Sequence, residues 1–246
     1  MTLSVVPGIF ACNLRAVIVV VILASAAATA CARRLPDPVP VPQPAALAER
    51  LRAAGTPDQP QLIAFKWRYR GREGRFSGEG AVRVNPPDSV RLDLLGPGWS
   101  GVQSAVLLGD RVYYVGEQRI QLPPPTFMWT VLGVFRPPAG IAPQGTRRGE
   151  RLRLAYWLSA RETVAFEFES DRLVEAKLEV GGDIVQRIDL KLNGGAAATA
   201  DRWVWPAEAR FRDLGEFHEV KIEVTQIRQH APFEGRIFRV AARDSL

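Results

Sequence analysis

The sequence predicts a mainly β protein: one strongly curved antiparallel sheet of about ten or eleven strands, an unclosed barrel, with a short N-terminal helix and an apolar plug helix. Three observations carry this. From Leu62 to Ile227 apolar residues recur at alternating positions, mostly opposite charged ones, which is the period of a strand with one buried and one wet face. The links between these runs are short and hold no helical pattern, so neighbouring strands pair antiparallel. One stretch, "LPPPTFMWTVLGVFRPP", is apolar nearly all round and cannot lie on a surface facing water.

The chain opens on a removable leader. Arg15 is the one charged residue among the first 30, and Ala16 to Ala30 is a 15-residue run of apolar and small residues. That is short of the roughly 20 residues that span a bilayer, so a cleaved signal over residues 1–30 fits better than a permanent membrane helix. Cleavage removes Cys12 and leaves Cys31 alone, which excludes an internal disulfide and any multi-cysteine metal site. Prolines at 36, 38, 40, 42 and 44 follow, favouring an extended spacer over residues 31–44, roughly 3.1 Å per residue where the prolines alternate.

After the spacer, "AALAERLRAAG" sets Leu47 and Leu51 four apart behind Pro44 and stops at Gly55, a short amphipathic helix. Strands are then expected at Leu62 to Arg70 and Phe76 to Val84 around a Gly-rich turn, at "SVRLDLL", at Val102 to Leu108 and at Arg111 to Val115. A short continuation of this last run to Leu122 is also open. The segment Pro125 to Pro137 is the expected plug, with Thr126 placed to cap it. It is either an ordinary core helix or a cover over a ligand cavity. Strands resume in "RLRLAYWL", "TVAFEFES", "RLVEAKLEV", "DIVQRIDLKL", "WVWPAEARF" and "HEVKIEVTQI", so the folded domain is expected over residues 45–242.

Catalysis finds little support. His218 and His230 are the two histidines, with no companion Ser or Cys motif, and "GWSGV" around Ser100 lacks the final glycine of a nucleophile elbow. No phosphate loop, metal-ligand cluster or cofactor motif is present. The formal charge of +6 could suggest an acidic partner, but 28 of the 32 basic residues are Arg, and most alternate with apolar residues along strands. A solvated strand face accounts for them, and nucleic acid is not an expected partner.

Two sets of residues resemble known families. Ala28, Thr29, Ala30 and Cys31 resemble the lipobox of bacterial lipoproteins, whose cysteine carries the acyl chains; Ala28 stands where that family has Leu. "PDSVRLDLLGP", "GDRVYYV", the apolar plug and the late strands "WVWPAEARFRD" and "HEVKIEVTQI" resemble the LolA/LolB family of lipoprotein localisation factors and the LolA-like lipoproteins. The lipobox resemblance implies lipidation at Cys31, and Ala32 in place of Asp implies transport to the outer membrane, facing the periplasm.

The LolA/LolB resemblance implies an open β-barrel whose concave wall binds acyl chains of lipoproteins or lipids, with a periplasmic carrier protein as a further partner. Its expected lining is Leu92, Leu94, Val106, Leu108, Tyr113, Phe127, Trp129, Leu132, Phe135, Phe166 and Phe168. The family's membrane-inserting loop falls on Leu95 and Trp99, flanking Gly96 to Gly98. The competing reading is a structural or interaction lipoprotein whose cavity is filled by its own plug.

Overall fold

The computed structural model describes residues 36–96, 102–118, 120–192 and 205–240. The expected signal segment, Cys31 and Trp99 lie outside them. Thirteen strands form one antiparallel sheet: β1 (Val39–Pro40), β2 (Gln61–Gly71), β3 (Gly74–Asn85), β4 (Ser89–Leu95), β5 (Gln103–Leu108), β6 (Arg111–Val115), β7 (Gln144–Arg148), β8 (Arg151–Trp157), β9 (Glu162–Glu169), β10 (Arg172–Val180), β11 (Asp183–Lys191), β12 (Glu208–Asp213) and β13 (His218–Gln229). Helix α1 (Pro44–Ala54) joins β1 to β2, and α2 (Pro125–Val131) lies between β6 and β7. Neither is long and apolar enough to cross a membrane.

The spatial order is β1-β7-β8-β9-β10-β11-β12-β13-β2-β3-β4-β5-β6, so two meanders are joined where β13 pairs with β2. Strands β1 and β6 are the two edges and do not pair with each other, and the barrel stays open. Laid flat, thirteen strands would extend roughly 58 Å at about 4.8 Å per strand. Yet Leu92 of β4, Leu154 of β8, Phe166 of β9 and Phe211 of β12 belong to one buried cluster. Only strong curvature, with these residues on the inner face, reconciles the two.

The sheet has two more strands than the upper expectation, and both extra strands are short pieces without period-two patterning. Strand β7 reads "QGTRR", and β1 is two residues of the proline-rich segment, Val39 facing Arg147 and Pro40 facing Thr146. The expected spacer to Pro44 is therefore shorter: the compact unit begins at Pro38, Val41 N–H donates to the Gly145 carbonyl at 2.9 Å, and Pro44 starts α1. A proline costs nothing at an edge, where its missing N–H would have faced no partner strand. The continuation toward Leu122 forms no strand.

Alternation delivers the faces. Ile63, Phe65, Trp67 and Tyr69 of β2 are all buried on the inner side, while Lys66, Arg68 and Arg70 are exposed. On the outer side charges pair across strands, Arg153 with Glu179, Lys177 with Glu167, Arg187 with Glu175 and Lys221 with Glu208, and along single strands, Lys177 with Glu175, Arg187 with Asp189 and Lys221 with Glu223. These pairs account for much of the arginine on the late strands.

Aromatics of β2 lie over glycines of β3. Phe65 faces Gly80 and Trp67 faces Gly78, and the Trp67 indole N–H reaches the carbonyls of Glu79 (3.0 Å) and Leu95 (3.2 Å). A Cβ on Gly80 would stand 2.2 Å from Phe65 Cζ and 2.5 Å from the Asp93 carbonyl oxygen. We therefore expect Gly80→Val to destabilise the fold by about 1–3 kcal/mol or more, read as a lowered urea midpoint, because backbone and ring must both move.

Candidate functional site

The inner face of the sheet is an apolar chamber, and α2 with the residues after it fills its middle. Topology requires a crossing, since β6 is one edge and β7 is next to the other, so residues 116–143 must bridge the open side. The bridge is pinned on its way in. Gln103 of β5 donates from Nε2 to the Ile120 carbonyl (2.8 Å) and accepts from Ile120 N–H (3.1 Å). The Tyr114 hydroxyl donates to the Pro123 carbonyl at 2.7 Å, and burial pushes its pKa up to about 12, so it stays a donor.

The helix starts at Pro125 and its N-cap is Pro124, so Thr126 sits inside the first turn and caps nothing. It runs for only seven residues. Gly133 adopts φ 74° and Val134 N–H returns to the Trp129 carbonyl at 3.0 Å, so the chain unwinds and carries Val134 and Phe135 inward as an extended arm. Phe127, Met128, Trp129, Val131, Leu132, Val134 and Phe135 are all buried, as a segment without a polar face requires.

Eight of the expected lining residues meet in this chamber. Leu92 and Leu94 form part of its wall from β4, Phe166 and Phe168 from β9, and Phe127, Trp129, Leu132 and Phe135 fill it. Phe135 sits edge-on to Phe166 at 4.9 Å and to Phe168 at 5.0 Å, and Phe127 approaches Phe211 at 6.4 Å. Three others are corrected. Val106 pairs across with Arg91 and Tyr113, and Leu108 with Ser89 and Arg111, so Val106, Leu108 and Tyr113 face outward. The inward residues of these strands are Ala105, Leu107, Val112 and Tyr114.

The misplacement has a physical cause. Val106 is fully buried although it faces outward, because the 3₁₀ turn Gly235–Phe238 crosses β4 and β5 on that side and Arg91 Nη1 donates to the Ile237 carbonyl at 3.0 Å. Both faces of β5 are covered, so its sequence carries no polar alternation to set the parity. Ile63, Phe65 and Trp67, also on the inner wall, were legible in the alternation of β2.

Among the described residues the chamber holds a cavity of about 10 Å³ lined by Ile63, Phe65, Val82, Leu92, Val131 and Leu132, among others. That is room for one water, far below the roughly 300 Å³ at which small-molecule pockets begin. Beyond the plug lies a hollow of about 470 Å³ between α1 and residues 136–143, with Glu49, Arg52, Asp110, Arg136 and Tyr156 on its walls. Arg136 lines this hollow and lies over the Trp129 ring of the plug. The guanidinium lies 4.0 Å from the Trp129 ring centroid and pairs with Asp110 at 3.4 Å, and the indole N–H donates to the Gly109 carbonyl at 3.0 Å. The plug is thus latched to the β5–β6 turn by polar groups and packed elsewhere by apolar ones.

Leu95, expected in a membrane-inserting loop, is exposed at the end of β4. His218 is buried between the rings of Phe211 (5.6 Å) and Tyr69 (5.9 Å), and neither ring nitrogen has a hydrogen-bond partner. Among the described residues no three His, Cys, Asp or Glu side chains are grouped as metal ligands. Burial lowers the His218 pKa, against the opposing pull of Asp213, Glu73 and Glu216. A folded-state pKa below the unfolded value means stability is intact above about pH 6.5 and declines as pH falls through the folded pKa. We expect urea midpoints to drop between pH 7.5 and pH 5, and the drop to shrink in His218→Phe.

No protein-family model matches the sequence, and no curated protein is similar to it in sequence. Solved structures match in fold. A LolA superfamily protein from Nitrosomonas europaea superposes with a TM-score of 0.53 at 10% identity, over 81% of this chain and 99% of that one. A putative outer membrane lipoprotein-sorting protein domain from Vibrio parahaemolyticus gives 0.42 at 9% identity, over 78% and 94%. The chain has a LolA-like fold, as the resemblance implied.

Proposed function

We propose that this chain is a cell-envelope lipid-binding protein that takes acyl chains of lipoproteins or lipids into the chamber when α2 swings aside, and that acylated Cys31 holds it at the outer membrane. The observation that carries the reading is the plug itself. A seven-residue helix bonded into no strand fills an otherwise continuous apolar wall, and its polar fastening is concentrated at Trp129, Arg136 and the β5–β6 turn. Displacing it would join the chamber to the 470 Å³ hollow beyond Arg136.

The energetics suit transfer without covalent chemistry. Each acyl methylene buried on the wall is worth about 0.8 kcal/mol, and an entering chain replaces apolar contacts that the plug gives up, so capture and release stay near balance. The leading wall residues are Leu92, Leu94, Phe166 and Phe168, with Phe127, Trp129, Leu132 and Phe135 as the displaced filling. Leu95 and Trp99 would meet the membrane during delivery, and a periplasmic carrier protein would supply the cargo.

The 10 Å³ cavity favours a second reading, a structural lipoprotein permanently filled by its own plug. Native mass spectrometry with lipid extraction, on the chain purified from membranes in mild detergent, separates the two. Carrier activity predicts co-purifying acylated species, fewer in Trp129→Asp, and greater uptake of added lipid in Arg136→Ala, whose latch is weakened but whose core is intact. A ligand-free protein that takes up no lipid even as Arg136→Ala would leave the filled scaffold.

A further inference from the structure

The described residues carry nine large apolar side chains that are exposed, and their distribution is uneven. Register places the β2–β3, β4–β5, β8–β9, β10–β11 and β12–β13 connections at one end of the sheet. All but Val39 and Ile227 of the nine lie at that end. The most exposed at that end are Phe217 (72%), Trp157 (52%), Leu95 (49%) and Leu214 (47%), on three different turns. Among the described residues, the turns at the other end carry none.

Phe217 adopts φ 57°, a left-handed conformation that a bulky side chain disfavours, and the turn holds its ring largely in solvent, with the Arg72 guanidinium 5.8 Å from the ring centroid as a cation–π neighbour. The turn is well fastened: Leu214 N–H donates to the Val185 carbonyl at 2.8 Å, and Asp213 accepts from Glu216 N–H at 2.7 Å. Beside it a shallow hollow of about 530 Å³ is lined by Leu214 and Phe217, by Arg70, Arg75 and Arg212, and by the carboxylates of Asp213 and Glu219. Arg70, Arg75 and Arg161, all at this end, form no ion pair among the described residues, whereas Glu216 is held by Arg72 (3.7 Å) and Glu73 accepts from the Tyr69 hydroxyl.

We infer that this end of the sheet is a membrane-docking rim that rests on an anionic phospholipid bilayer. Phe217, Leu214, Trp157 and Leu95 enter the acyl boundary, and Arg70, Arg75 and Arg161 meet phosphates. Single apolar residues on separate turns with arginines between them are the composition of an interfacial contact, and a flat surface is what several turns on one rim can touch together. The guanidinium groups of Arg70, Arg75 and Arg161 are the groups that would meet an anionic leaflet. The rim shares Leu95 with the proposed function, and the two are tested apart because vesicle binding and ligand content are measured separately.

The test uses a chain beginning at Pro36, which keeps every strand, both helices and the whole core cluster and removes the proposed anchor. Co-sedimentation with phosphatidylcholine–phosphatidylglycerol vesicles (roughly 7:3) should show binding. The triple variant Trp157→Ser, Leu214→Ser, Phe217→Asn should lose it by about tenfold or more. Its Tm should be undiminished, since the replaced side chains are exposed and Asn tolerates the left-handed turn. Val39→Ser with Ile227→Ser should bind like the parent. A parent that ignores vesicles, a triple variant that binds equally well, or a vesicle-independent dimer lost in the triple variant would each overturn the proposal.

Discussion

The pairing of β13 with β2, from Glu219 opposite Arg70 to Gln229 opposite Gln61, is the contact on which the architecture depends. It joins segments some 150 residues apart and places the first meander beside the end of the second. Once it forms, β6 and β1 become the two edges, and both remaining connections are forced to cross the open side: α1 from β1 into the centre of the sheet, and residues 116–143 from β6 to β7. The helices lie over the inner face because of strand order, before any preference of their own. A contact so distant in sequence closes a long loop, and the local hairpins of each meander can form before it.

The inner face then sets the character of the molecule. Aromatics of β2 lie over glycines of β3, and walls from β4, β9 and β12 meet at a common centre that one short apolar segment fills. The filling is dense, yet its polar fastening is local: an indole N–H, a cation over a ring and a loose ion pair at the β5–β6 turn. Packing holds the segment in place and the latch gives it one orientation. In this LolA-like fold the chamber is closed by the protein's own apolar residues, which keep water off the wall.

The outer face shows how a strongly basic composition can be neutral in effect. Arginines and lysines on β8 to β13 meet carboxylates on the same or nearby strands, so much of the positive charge on this face is spread over a paired ladder. Pairs of this kind are worth little singly at a solvated surface. Their arrangement marks which face is wet and discourages the sheet from pairing edge to edge through apolar contacts. The end of the sheet with exposed aromatics departs from this pattern.

The amino-acid sequence by itself determined the strand class, the two helices and the apolar plug, because side-chain alternation and an unbroken apolar segment are local properties that burial must respect. It also made most of the chamber legible, as Leu92, Leu94, Phe166 and Phe168 stand opposite charged or polar neighbours. Tertiary structure decided the rest. The parity of β5 and β6 was settled by the C-terminal turn that buries Val106 on the outer side. Strands β1 and β7 exist because an edge was available to them, not because "VP" or "QGTRR" favours a strand. The partnership of Trp129 with Arg136 and Gly109, and the gathering of Phe217, Trp157 and Leu95 at one end, arise from strand order. No local pattern encodes that order, since it depends on which distant strands find each other.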